Sequence, residues 1–450
     1  MTATTVDMMA ARDSRAGRQK EFAARHGSAL VSYTLNIIGS QKRFKSGDRA
    51  FYEGKREIEK IFARKGHTAL DYILTDAHTG LECLWAVAAD ARDLKSAMSA
   101  IEESHPIGRL FDIDVISSGG EKIPRGALDL PERACLVCGS PGHGCARSRH
   151  HPVEEVLQFT HRIIDGYFAR KDAAVISGCA MRALLYELAA TPKPGLVDRR
   201  NNGAHKDMDF YTFIDSTVSL APYFNDMAAA GIAHRNIPPG DLLAKLRQRG
   251  ILAEEEMLAA TGGVNAQKGI IFSMGILCAA CGYLGLPLES TDDILDTAGK
   301  IAAPALQSDF QGITARNAAT YGEKAFANHA AAGIRGEAAA GFPSVRAFAL
   351  PALAAALARG VSLGDAGTEI LLRLLANVGD TNVIGRGGLD ALGEIQRDLR
   401  DFFAAQPDTA AAITYAADLD RSFIGRNISP GGCADLLAVT YMAHFVSSLN

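Results

Sequence analysis

TPKPGLVDRRNNGAHKDMD, Thr191 to Asp209, is the stretch around which the chain's helical patterns fall into order. Lys193, Asp198, Arg199, Arg200, His205, Lys206, Asp207 and Asp209 sit between Pro192, Pro194, Gly195, Asn201, Asn202 and Gly203. The prolines remove amide donors and fix φ, while Gly195 and Asn201-Asn202-Gly203 admit turns with positive φ. The stretch is therefore a loop. Cations and carboxylates held by such stiff punctuation suit a site that grips phosphate with Lys and Arg and offers carboxylates to a metal or a proton. A solvated polar connection is the plain alternative.

Outward from this loop the texture is alanine-rich and helical. Helical patterns cover Ala173–Ala190, Asp209–Ala230, Gly269–Leu284, Ser344–Arg359 and Ala366–Ala376, with hardly any alternating segment. Four further polar joints interrupt them: TGGVNAQKG (Thr261–Gly269), GIRGEAAAGFPSV (Gly333–Val345), GDTNVIGRGG (Gly379–Gly388) and RNISPGGCADLL (Arg426–Leu437). Each opens or closes a helix. Converging at one end of a bundle, such ends would hold a triphosphate with N-terminal amides and Lys or Arg. A larger all-α domain over residues 172–450 is expected, with its boundary near Lys171.

The N-terminal part reads differently. Residues 1–17 are polar and expected to be poorly ordered. Residues 18–171 combine a largely helical Arg18–Gly66, interrupted by an extended VSYTLNIIG (Val31–Gly39), with a hairpin of Thr68–Thr75 and Leu81–Ala89. A helix over Ala91–Ser104 and a strand over Arg109–Ile116 follow, so this domain is α/β or α+β. RLFDIDVI places Asp112 and Asp114 two apart on a strand, hence on one face, with Phe111, Ile113 and Val115 on the other. Paired carboxylates repel unless a cation lies between them, an arrangement that metal-dependent nucleotidyl transfer uses. Two exposed strand carboxylates are the simpler reading. Arg109, Arg125, Arg133, Arg147 and Arg149 lie close in sequence and suit a diphosphate leaving group.

A formal charge of -4 and a pI near 6.3 give no basic field, which disfavours coating of nucleic acid. The eight cysteines lack the spacing of a secreted disulfide scaffold, the first residues carry charges where a signal peptide needs an apolar core, and no uncharged run is long enough for a bilayer. A cytoplasmic location is expected. Cys135-x-x-Cys138, followed by His143, Cys145, His150 and His151, has ligand types suited to Zn2+. Its spacing matches no standard finger, so reduced cysteines in a turn are expected in preference to Zn2+ at Cys135, Cys138 and Cys145. Cys278, Cys281, Trp85 and His444 read as packing residues.

PKPGLVD, NNGAH and DMD, with the four later joints in order, resemble triphosphoribosyl-dephospho-CoA synthases over about Lys171–Asn450. Two positions depart from that pattern, Ala266-Gln267 for Thr-His and Cys433 for Ser. TLNIIGSQK, RLFDIDVIS and RACLVCGSPGHGCARSRHH resemble the apo-citrate lyase phosphoribosyl-dephospho-CoA transferases over about Arg18–Lys171, with Ile38 where Pro is usual. The resemblances imply two linked reactions. In the C-terminal domain ATP and 3′-dephospho-CoA would give 2′-(5″-triphosphoribosyl)-3′-dephospho-CoA and adenine. In a nucleotidyltransferase-like N-terminal domain, phosphoribosyl-dephospho-CoA would pass to a serine of the apo acyl carrier (gamma) subunit of citrate lyase, releasing diphosphate.

These reactions need Mg2+ and cations on phosphates, a base for the hydroxyl, and a carboxylate near the oxocarbenium-like carbon. The motifs imply one shared site without distributing its roles; within it Lys193, Arg199, Lys268, Arg335 and Arg386, with Asn202 and His205, are expected as phosphate and substrate contacts, and Asp207, Asp209 and Asp380 as Mg2+ ligands. Asp198 or Glu337 is expected as base or cation stabiliser. In the N-terminal domain Asp112 and Asp114 would carry Mg2+ and catalysis, with Arg109, Arg133 and Arg147 on the phosphates. Two alternatives stay open: maturation of malonate decarboxylase by the same chemistry, and a ribosyl hydrolase with a carrier-docking N-terminal domain.

Overall fold

The computed structural model describes residues 3–309, 327 and 333–449, and its contacts divide the chain into two compact units, Met1–Phe168 and Ala169–Asn450.

In the first unit, α1 (Thr5–His26), β1 (Ala29–Leu35), α2 (Lys45–Lys65), β2 (Thr68–Ala77), β3 (Gly80–Ala88), α3 (Ala91–Ser104) and β4 (Phe111–Ile116) follow one another. The strands form one antiparallel sheet in the order β2-β3-β1-β4. The expected hairpin is β2–β3, and the fold is α+β. Its main face buries Tyr33, Trp85 and Val115 against Phe51 and Phe62 of α2 and Met98 of α3. The opposite face sets Leu30, Leu84, Ala86 and Ile116 against Phe22 and Ala23 of α1. Both faces of the sheet are thus packed around β1 and β3, while the edge strand β2 leaves Leu70, Tyr72 and Leu74 exposed.

That second layer corrects the expectation for residues 1–17, most of which are helical. A capping box between Thr4 and Asp7 starts α1. Arg15 and Arg18 then both pair with the carboxylate of Glu82 on β3. The segment is polar because part of its docking is ionic. α4 (Gly142–Ser148) and α5 (Val153–Ala189) follow, α5 beginning at Val153, well before the helix expected over Ala173–Ala190.

The second unit contains no strand among its described residues. Its helices are α6 (Phe210–Ser219), α7 (Ala221–Ala233), α8 (Pro239–Ala260), α9 (Lys268–Leu284), α10 (Thr291–Asp309), α11 (Gly333–Ala339), α12 (Leu350–Ala358), α13 (Leu363–Leu375), α14 (Thr381–Ala404), α15 (Thr409–Arg426) and α16 (Gly431–Ser447). The expected helix Asp209–Ala230 breaks at Leu220, because Pro222 can start α7 but cannot continue a helix from α6. α9, apolar all round, is buried along most of its length and forms the centre of the bundle. Cys278 and Cys281 lie within it, fully buried as expected.

α7 crosses α9 at close range through glycines. A Cβ on Gly231 would stand 2.1 Å from the Ala279 carbonyl oxygen, and one on Gly282 would stand 2.1 Å from that of Ala228. Backbone cannot yield as a flexible side chain does. Gly231→Ala is expected to destabilise the protein by about 3 kcal/mol, read as a lower urea midpoint in circular dichroism at 222 nm, the ordinary helix band; an unchanged midpoint would mean that the crossing is not tight.

Candidate functional site

The 191–209 loop is built around buried carboxylates. Asp198 accepts hydrogen bonds from the amides of Lys193 (2.9 Å), Arg200 (2.6 Å) and Asn201 (3.2 Å). Asp420 of α15 accepts from the Gly195 amide at 2.9 Å and the Asn201 side chain at 2.8 Å. Gly203 adopts φ +57° and packs so closely on Gly195 that a Cβ would lie 2.4 Å from its carbonyl carbon. Residues 192–198 are all buried.

So braced, the loop forms one wall of a cavity of about 610 Å3. All five polar joints line it: Lys193, His205 and Asp207 from the first, Asn265–Gly269, Gly333–Arg335, Thr381, Asn382 and Arg386, and Ser429, Gly431, Gly432, Ala434 and Asp435. The first turns of α9, α14 and α16 therefore face one space, with Lys268, Arg335 and Arg386 beside them. Amide-rich helix starts and cations together make an anion-binding wall. Opposite, Met227, Leu243, Leu246 and Ile276 give an apolar wall suited to a flat base or an alkyl chain.

Several expected site residues do reach this cavity. Lys193 is buried in an ion pair with Glu187. Lys268 pairs with Glu254 at 2.8 Å. Arg335 lies over the Phe272 ring, and Arg386 lies 3.4 Å from the Ala204 carbonyl oxygen, near enough to donate to it. His205 meets the Ser429 hydroxyl at 2.9 Å, and burial, with Arg386 nearby, lowers its pKa, favouring a neutral ring. Asp207 lines the mouth, its side chain 65% exposed.

The other acids are employed differently. Asp198 is taken up by the three amides described above. Asp209 caps α6 in a box with Thr212. Asp380 caps α14 through the amides of Asn382 and Val383, and its second oxygen accepts from the Cys433 amide at 2.8 Å. Glu337 accepts from the amide and hydroxyl of Ser344. None of these four lines the cavity. Arg199 and Asn202 are exposed and also lie off it.

The sequence reading missed Asp435, in the first turns of α16. Its carboxylate faces the cavity and occupies the space beside Gly269, where a Cβ would stand 2.1 Å from Oδ2. Among the described residues no hydrogen-bonding or ion-pair partner to it is found. Burial, reinforced by Glu187 and Asp380, raises its pKa well above the usual carboxylate range. Gln267, at the position of the departed histidine, turns inward and accepts a hydrogen bond from Ser216 at 2.6 Å.

In the first unit Asp112 and Asp114 share a face as expected, opposite Thr34 and Ser32 of β1. Asp112 lines a cavity of about 140 Å3 together with Arg12, Arg15, Lys42, Asp48 and Glu82. Asp114 pairs with Lys122 at 2.6 Å. Arg133 donates to the carbonyls of Arg109 and Phe111 and approaches Asp112 at 3.8 Å, Arg109 donates to the Ala134 carbonyl, and Arg147 is exposed on α4. The first two arginines thus tie a loop to β4, and the cations of the cavity come from α1 and Lys42.

A family described as ATP:dephospho-CoA triphosphoribosyl transferase matches residues 173–450, and one described as apo-citrate lyase phosphoribosyl-dephospho-CoA transferase matches residues 3–167. "Protein CitXG" of Haemophilus influenzae is 34% identical over 96% of this chain and 94% of its own length. The chain belongs to this two-part transferase family. A second relative of that name, from Leuconostoc mesenteroides, is 31% identical over 99% of this chain and 98% of its own. A 2-(5″-triphosphoribosyl)-3′-dephosphocoenzyme-A synthase of Pectobacterium atrosepticum is 39% identical over 63% of this chain and 92% of its own. Family membership makes the chain a bifunctional transferase that builds and attaches the citrate lyase prosthetic group. No helix among the described residues is long and apolar enough to cross a membrane.

Breaking the buried Lys193–Glu187 pair leaves an uncompensated charge. Lys193→Met is expected to cost about 3–5 kcal/mol, and adding Glu187→Gln should recover much of it; equal urea midpoints for the single and double variants would contradict this.

Proposed function

We propose that the C-terminal cavity carries out triphosphoribosyl transfer with Asp435 as its base, and that the N-terminal unit completes the transfer at Asp112 and Asp114 in the manner of a nucleotidyltransferase. What supports the first part most is the meeting, in a single cavity, of five polar joints and one carboxylate that has no partner among the described residues. The triphosphate lies against the starts of α9, α14 and α16, with Lys268, Arg335 and Arg386 neutralising it. The adenine or the pantetheine arm takes the apolar wall.

Asp435 accepts the proton of the dephospho-CoA 2′-hydroxyl as that oxygen bonds to C1′ of the ribose. Adenine leaves with the electron pair of the broken C1′–N bond and takes a proton from solvent, the carboxylate steadies the oxocarbenium-like carbon until the hydroxyl proton reaches it, and that proton then passes to solvent. Asp198 and Glu337, the expected bases, are spent on backbone and serine donors. The donor set at the mouth fits Mg2+: Asp207 offers a hard oxygen, and the substrate's phosphates offer the rest. When bound, Mg2+ would offset the charge of the triphosphate. Asp209 and Asp380 fill capping roles instead.

In the N-terminal unit Asp112, with Asp114 beside it, would hold Mg2+ on the phosphates, and Arg12 and Lys42 supply further positive charge at the cavity. The acceptor is a serine of the apo acyl carrier (gamma) subunit of citrate lyase. Such chemistry on a small soluble carrier suits the cytoplasm.

Two outcomes test this reading. Full-length protein incubated with ATP, Mg2+, 3′-dephospho-CoA and the apo gamma subunit should yield, by mass spectrometry, a carrier heavier by phosphoribosyl-dephospho-CoA. Modification of the malonate decarboxylase carrier alone would move the assignment there, and adenine release without dephospho-CoA would favour a hydrolase. Asp435→Asn should lower adenine release by about 10²–10⁴-fold. Because a base works only when ionised and burial raises this carboxyl's pKa, wild-type turnover should fall on acidification at a pH above the ordinary carboxylate range. An Asn variant that kept the same rate and acid limb would remove Asp435 from the chemistry.

A further inference from the structure

The loop after β4 brings together four metal-ligating side chains that neither transfer reaction uses. Cys135, Cys138, Cys145 and His151 each direct one ligand atom to a common point, all four atoms lying within 4.8 Å of one another. A tetrahedron of sulfur and nitrogen around zinc, with bonds of about 2.0–2.3 Å, separates its ligand atoms by about 3.3–3.8 Å. The Cys138 and Cys145 sulfurs are 3.4 Å apart, within that range and well beyond a disulfide bond.

The backbone arranges these groups before any ion arrives. Between Cys135 and Cys138 the chain closes a turn in which Gly139 N–H donates to the Cys135 carbonyl at 3.1 Å, with Gly139 at φ +74°. The Cys135 amide donates back to the Ser140 carbonyl at 2.6 Å, closing the same turn. α4 carries Cys145, and the chain reverses at Arg149 to bring up His151. His151 is held by Glu155, whose carboxylate lies 3.3 Å from Nδ1, while Nε2 is buried and has no hydrogen-bonding partner among the described residues. A histidine fixed on one nitrogen by a carboxylate, with the other nitrogen turned toward thiols, is set as a zinc ligand is. Three thiolates and one imidazole on Zn2+ leave one negative charge, and Arg109 stands close enough to Cys135 to interact with it.

We propose that Cys135, Cys138, Cys145 and His151 bind a structural zinc ion. Binding replaces three thiol protons, released to solvent, with one Zn2+. All four positions are taken by protein, which is the closed arrangement of a structural site. His143 and His150, equally plausible ligands by sequence, lie outside the cluster. The ion would staple residues 135–151 into one piece, and Arg109 and Arg133 fasten the start of that piece to β4 near Asp112.

The test is the metal content of full-length protein, purified under reducing conditions without chelator or a metal-affinity column and measured by plasma mass spectrometry. About one zinc per chain is expected, falling at least tenfold in Cys138→Ser and in Cys145→Ser but not in His143→Ala or His150→Ala. Cobalt exchanged into the wild-type chain should show thiolate-to-metal charge-transfer absorption and intense tetrahedral d–d bands, so the assignment can be read even if a cysteine variant fails to fold. Wild-type chain that carries no zinc and gives no such spectrum with cobalt would overturn the site. So would a Cys138–Cys145 disulfide in the native chain, seen as the loss of two hydrogens in intact mass, or zinc lost equally in His143→Ala.

Discussion

A single carboxylate, Asp198, holds one wall of the second unit's cavity in place. Three backbone amides converge on it, and without it the buried amide of Lys193 would have no acceptor, at about 1–3 kcal/mol. Asp420 then anchors the same loop to α15. Only a loop held this firmly can set Lys193, His205 and Asp207 at fixed places against three helix starts. Preorganised donors of this kind need little rearrangement when charge develops.

The division of labour among the acids follows from burial. A carboxylate beside glycines and helix starts finds amides to accept, so Asp198, Asp209 and Asp380 become braces and caps. Asp435 lies a turn inside its helix, where the amides are already engaged, and its charge is answered only by what enters the cavity. Glu187 and Lys193 answer each other. The cavity therefore keeps a rim of Lys268, Arg335 and Arg386 and one carboxylate with no partner among the described residues.

The order of the helices and the gathering of the five joints could be read from the sequence, because proline, glycine and amide residues punctuate the alanine-rich helices so strongly. The roles of individual acids could not, since a capping aspartate and a catalytic one look alike until the amides around them have positions. Asp435 gave no signal beyond its place in the last joint. In the first unit the strand that sets Asp112 and Asp114 on one face was legible from alternation alone, and the cysteine cluster was visible as composition. Its geometry was not, because the turn at Arg149 decides which of three histidines arrives. α1 escaped notice because it docks partly through Arg15 and Arg18, and ion pairs leave no apolar period.

That helix gives the first residues of the chain an unexpected duty. Trimming to Arg18, which a reading of polar composition would recommend as harmless, would strip Met8, Ala11, Arg12 and Arg15 from the rim around Asp112 and leave Glu82 with half its guanidinium partners. The N-terminus is therefore a poor place to shorten this protein, or to crowd it with a fused tag.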